Sequence, residues 1–123
     1  MESRGRRCGM GTGGIVAAEI GRGEVRLYRF PPPDKQRPVV VLTRDSAIGY
    51  LSAVTVAPIT STIRGVPSEV LLTEKDGMKA TCAINLHNVV TVSKAHLGRR
   101  GAMLSSERLR EICGALGFAL GCA

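Results

Sequence analysis

The sequence predicts a mainly β fold, a small and strongly curved sheet or barrel closed by one C-terminal α-helix. Three observations carry this. Short apolar, β-branched runs recur between Gly, Pro, Asn and Asp punctuation. One of them, Val39-Val40-Val41-Leu42, is continuous and suits a strand buried on both faces. Near the end of the chain the apolar period changes from two to that of a helix.

The elements follow in order. Residues 1–22, rich in Gly and Arg, show no periodicity that would supply a buried face and read as a flexible N-terminal extension. The folded domain is expected over 23–123. From Gly23, Val25 and Leu27 alternate with Glu24, Arg26 and Tyr28 as a first strand, which Pro31-Pro32-Pro33 stops. A charged loop (Asp34, Lys35, Gln36) leads to Arg37 and to Pro38, which opens the valine strand where a missing N–H is tolerable. A helical turn or loop is expected over Asp45 to Gly49. A long third strand then runs from Tyr50 to Ile59, bent or ended by Pro58. Shorter strands are expected at Ser68 to Leu72, Lys79 to Leu86 and Asn88 to Ser93. Finally Leu109, Ile112, Cys113, Leu116 and Leu120 fall at helical spacing behind a Ser105 or Ser106 N-cap, with Glu107 in the first turn and Gly121 as C-cap. Gly114 and Gly117 each cost such a helix up to ~1 kcal/mol against Ala, so it must persist by packing on the sheet.

Composition narrows the function. The 123 residues are one domain's worth of chain, 44% hydrophobic, enough for a core without metal or disulfide staples. Seventeen Lys and Arg against ten Asp and Glu give a net charge of +7, and +5 of it lies in residues 23–123. A basic folded part favours phosphate-bearing or acidic partners. Aromatics are only 3%, which excludes readings built on rows of base-stacking rings. Cys8, Cys82, Cys113 and Cys122 are irregularly spaced with two histidines to help them, which weighs against a zinc site and fits reduced thiols in the cytoplasm. Cys82 and Cys113 fall in apolar patterns where small buried hydrophobes are ordinary. No apolar run approaches the ~18 residues of a membrane span, and the patch Ile15–Ala18 is cut short by Glu19.

The chain contains no G-x-S-x-G elbow, Walker loop or H-E-x-x-H, and the glycines of GMGTGG at 9–14 follow no strand. Two local signals remain: Arg37-Pro38 before the valine strand, and Thr60-Ser61-Thr62 with Arg64 after the third strand. Singly they read as a solvated charge and as turn chemistry. Together, at the ends of two neighbouring strands, they suit one phosphate, the guanidinium as a planar fork and the hydroxyls as directed donors.

The segments GEV at 23–25, QRPVVVL at 36–42, API-TST at 57–62, EVLL at 69–72 and INLHNVVTV at 84–92 resemble, in order, the MazF and PemK (Kid) family of toxin–antitoxin endoribonucleases. The resemblance spans residue 23 to about 121. It implies an SH3-like barrel of the CcdB/PemK plasmid-maintenance-toxin type, a homodimer, and metal-independent, cofactor-free cleavage of single-stranded RNA (mRNA, with tRNA and rRNA as further sources) at short sequences. It also implies a cognate MazE-like antitoxin whose acidic segment covers the RNA groove. By position it places the catalytic arginine on Arg37 and the catalytic threonine on Thr60, with Gln36, Pro38, Ser61, Thr62, Arg64, His87 and Asn88 among the RNA contacts. The reaction implied is attack of a ribose 2′-hydroxyl on the adjacent phosphorus, giving a 2′,3′-cyclic phosphate and a 5′-hydroxyl. Arg37 suits charge stabilisation before proton donation, and Thr60 suits orientation of the reacting groups, which leaves the base unassigned.

Two departures stand out. The loop before Arg37 is compressed to PPPDKQ, and His87-Asn88 stand where family members place Glu and Gln. His87 reads as a base-edge reader, a proton acceptor, or a strand-end histidine satisfied by backbone groups. A gyrase-poisoning toxin resembling CcdB and a non-catalytic RNA-binding barrel are the competing readings.

Overall fold

The computed structural model describes residues 20–33 and 35–122. Its strands are β1 (Glu24–Arg29), β2 (Gln36–Val41), β3 (Ala53–Thr60), β4 (Glu69–Leu72), β5 (Cys82–Asn85), β6 (Val90–Ser93) and β7 (Arg100–Met103). Helix α1 (Asp45–Ile48) is a single turn and α2 (Ser106–Leu120) closes the fold. All pairings are antiparallel, in the order β4-β5-β3-β2-β1-β7, with β6 also on β3. The mainly β class holds, as a half-barrel sheet with a helix laid across β4 and the single turn at 86–88.

β3 organises the sheet by pairing with β6 through Ala53–Val56, with β2 through Val56–Pro58, and with β5 through Ile59–Thr60. Pro58, expected to bend or end the strand, lies inside it. The Leu42 N–H donates to the Thr55 carbonyl at 2.9 Å. Antiparallel alternation then makes Val39–Pro58 a non-hydrogen-bonded pair. The missing N–H of Pro58 therefore faces the interval between β6 and β5, where no ladder asks for it.

The valine strand is buried on both faces, as its composition requires. Val40, with Ala57 and Ile59 of β3, faces a cluster of Val25, Leu72, Ile84, Leu86, Ile112 and Ala115. Val39 and Val41 face the other way, onto Ile48, Val54, Val56 and Val92. Each such side chain removed from water contributes roughly 1.5–3 kcal/mol.

Ser105 is the N-cap of α2, its hydroxyl accepting the Arg108 N–H at 3.2 Å, and Gly121 terminates it in the left-handed region at φ 74°. The apolar stripe is rotated from the expected one: Ile112 and Ala115 are buried, while Cys113 and Leu120 are exposed. Three further features differ from the sequence reading. Ile20, assigned to the extension, is 6% exposed and packs against the Val39–Val41 face, so the fold begins ahead of residue 23; residues 1–19 lie outside the described residues. β7 was not expected, because Arg-Gly-Ala-Met lacks β-branched residues. Glu24, placed on the polar side of β1, is buried, its carboxylate paired with Arg26 at 2.7 Å and Arg100 at 3.5 Å.

Candidate functional site

β2 and β3 are sheet neighbours, so Arg37 near the start of one lies close to Thr60 at the end of the other. The register runs Val41–Val56, Val40–Ala57, Val39–Pro58. Counted on by two residues, that register puts Arg37 at the level of Thr60 along the two strands. The ladder itself stops at Val39–Pro58, and the two residues open onto different hollows.

Arg37 is half-buried and lines a hollow of about 450 Å³ with Phe30, Pro58, His87, Asn88, Val89 and Val90. Its guanidinium carbon stands 5.8 Å from the centre of the Phe30 ring, a cation–π distance that helps hold the fork in place. Phe30 is held in turn by edge-on contact with Tyr28, centroids 4.9 Å apart. His87 is exposed on the turn at 86–88, and its Nδ1 lies 2.7 Å from the Ser68 hydroxyl. A side-chain hydroxyl thus holds this ring, where the sequence reading offered backbone groups.

Thr60 and Ser61 line a second hollow of about 620 Å³ with Pro38, Ile59, Leu27, Ala102 and the basic residues Arg26, Lys79 and Arg99. The Thr60 hydroxyl accepts the Thr62 N–H at 3.1 Å, which sets its rotamer and leaves its own hydrogen to donate. Arg26 is spoken for, bonded to Glu24 at 2.8 Å and to the Gly98 carbonyl at 3.1 Å. Thr62 and Arg64 are exposed in the following loop and line neither hollow. That loop is pinned by Glu69, whose carboxylate accepts the N–H groups of Arg64 at 3.1 Å and Gly65 at 2.9 Å. Gln36, exposed at the start of β2, also lines neither hollow. Among the described residues no three His, Cys, Asp or Glu gather as a metal ion would need, and no helix is long and apolar enough to cross a membrane.

Residues 21–120 match the family model described as PemK-like, MazF-like toxin of type II toxin-antitoxin system. The chain belongs to that family. Among curated relatives of this PemK/MazF-like toxin is "Probable endoribonuclease MazF5" of Mycobacterium tuberculosis. It is 47% identical over 89 residues, covering 72% of this chain and 82% of the relative. "Probable endoribonuclease MazF2" of the same species is 38% identical over 102 residues, 82% of this chain and 98% of the relative. The solved structure of M. tuberculosis toxin MazF-mt6 superposes with a TM-score of 0.75 at 31% identity, covering 81% of this chain and 98% of that one. A mycobacterial endoribonuclease in complex with its cognate antitoxin shares the fold at a TM-score of 0.73 and 23% identity.

Within this PemK/MazF-like frame, sequence reasoning missed Phe30, Ser68 and the basic lining of the second hollow. Phe30 carried a signal, an aromatic at the end of β1 opposite the arginine-bearing strand end. Ser68 carried none, since it lies 19 residues from the ring it holds.

Proposed function

We propose that this PemK/MazF-like toxin is an endoribonuclease of single-stranded RNA, with Arg37 and Thr60 at the scissile phosphate. The observation that carries the reading is that the arginine and the threonine carried over from the family as catalytic stand at the ends of two neighbouring strands. Arg37 borders one hollow and Thr60 another beside those ends, and the reading requires RNA to cross the ends with its scissile phosphodiester between them. As the 2′-oxygen attacks phosphorus, charge accumulates on the non-bridging oxygens, and the Arg37 fork neutralises it. Thr60, its rotamer set by Thr62, donates a hydrogen bond that orients the phosphate. The bond from phosphorus to the 5′-oxygen then breaks, leaving a 2′,3′-cyclic phosphate and a 5′-hydroxyl.

Pro38, Ser61, His87 and Asn88 line the two hollows as RNA contacts, and Gln36, Thr62 and Arg64, which line neither, would meet RNA only beyond them. Arg26, Lys79 and Arg99 give the Thr60 hollow a basic lining, although Arg26 is already paired with Glu24. The same basic surface suits an acidic antitoxin segment, in line with the related endoribonuclease solved in complex with its cognate antitoxin. A homodimer in the cytoplasm would extend the surface over two copies.

The test is incubation of a long transcript with the wild-type protein and Arg37→Ala, cut sites mapped by primer extension. The expected result is discrete cuts that Arg37→Ala weakens by about 10²–10³-fold. Equal cleavage by both proteins removes Arg37 from the chemistry.

A further inference from the structure

The turn that carries His87 is built with more support than an exposed histidine needs. Ser68, only 6% exposed, meets it twice: its carbonyl accepts the Leu86 N–H at 2.9 Å and its hydroxyl lies 2.7 Å from His87 Nδ1. Leu86 is fully buried against Ile112 and Ala115 of α2, so the turn is clamped between β4 and the helix. One ring nitrogen is therefore tied to the protein, while the residue is exposed and borders the hollow that contains Arg37. Tying Nδ1 is how an imidazole is held in one orientation with Nε2 left for chemistry.

We infer that His87 is the general base of RNA cleavage and that Ser68 is its positioning residue; this rests on the endoribonuclease reading above. With Nδ1–H donating to Ser68 Oγ, the Nε2 lone pair takes the proton of the attacking 2′-hydroxyl as the bond from the 2′-oxygen to phosphorus forms. The bond from phosphorus to the 5′-oxygen breaks with its electron pair, and that oxygen takes a proton from water. The imidazolium afterwards returns its proton to solvent. The Ser68 hydroxyl both donates and accepts, so it holds the ring in either tautomer and in the protonated form.

Among the described residues, the charged side chain that lines this hollow with His87 is Arg37 on β2. On β4, Glu69 is turned to the N–H groups of Arg64 and Gly65. On α2, Arg108 pairs with Asp76 and Glu111. β3 contributes uncharged Pro58 to the hollow.

The experiment is single-turnover cleavage of a long transcript from pH 5 to 9 by the wild type, His87→Gln, Ser68→Ala and Arg37→Ala, each checked for folding by circular dichroism. The wild-type rate is expected to climb with pH through the imidazole range, around ~6.5. His87→Gln should lose about 10²–10⁴-fold together with that climb. Ser68→Ala keeps the base but frees its ring, so the single-turnover rate at saturating RNA should fall about 10-fold with RNA affinity unchanged, and Ser68→Thr, which restores the hydroxyl, should recover it, which a purely structural role would not do. A His87→Gln protein with the wild-type rate and profile, alongside an inactive Arg37→Ala, overturns the base assignment alone. Folded wild-type protein that leaves RNA intact at every pH overturns the endoribonuclease reading with it.

Discussion

Asp76 ties two parts of the fold together, and its removal has a calculable cost. It ends the turn at 74–76, its side chain only 10% exposed. Oδ1 accepts the Arg108 Nε–H at 3.0 Å and Oδ2 accepts the Thr73 N–H at 2.9 Å, so one carboxylate closes a capping box and ties α2 to the loop after β4. Burial opposes its ionisation, but the hydrogen bonds from Arg108 and Thr73 and the charge of Arg108 outweigh that and hold the carboxyl below its usual range. Asp76→Asn keeps the size, removes the charge and replaces one acceptor with a donor. A charge-assisted bond contributes about 1.5–3 kcal/mol and a cap about 1. Since Asn keeps one acceptor, the expected loss is about 2 kcal/mol at pH 7, or roughly 6–10 °C in Tm for a domain of this size. The assay is the urea midpoint at pH 7 and pH 3. A lowered carboxyl stabilises the fold at pH values above its unfolded pKa, and the benefit drains away as pH falls through the folded-state value. The gap between wild type and variant should therefore close towards pH 3. Equal midpoints at pH 7, or a gap undiminished at pH 3, would refute the reasoning.

Ile112→Ala, at a side chain 1% exposed between α2 and the sheet, is expected to cost about 2–5 kcal/mol, measured by urea unfolding. Ser105→Ala removes the acceptor for the Arg108 N–H and should cost about 1 kcal/mol in the same assay. Burial, and secondarily the charge of Asp76, push the Cys82 thiol up, so iodoacetamide at pH 8 should label Cys113 and Cys122 before Cys82, as read by peptide mass spectrometry. Thr60→Val keeps the shape and loses the hydroxyl; RNA cleavage should slow by about 10²-fold or more with little change in RNA affinity.

Much of this was legible in the sequence because local chemistry and tertiary demand agreed. The valine run declared a strand covered on both sides, Ser105 and Gly121 marked the ends of α2, and Arg37 and Thr60 stood at the ends of runs that do become neighbours. What stayed hidden depends on partners distant in the chain. Glu24 is inside because Arg26 and Arg100 neutralise it, and alternation alone assigns a glutamate outward. β7 is a strand because β1 offers it an edge. Cys113 yields its place to Ala115 because the sheet, and not the helix, decides which side is inward. Ser68 meets His87 only after β4 and β5 have paired.

One consequence of β3 concerns how the protein comes apart. A single eight-residue strand contributes to both apolar clusters and to three ladders, so neither half of the molecule has a complete set of neighbours without it. Melting is then a shared event: backbone amides around Val39 and around Ile84 should exchange with solvent through the same global opening, leaving no partly dissolved species in which one strand end keeps its shape while the other drifts.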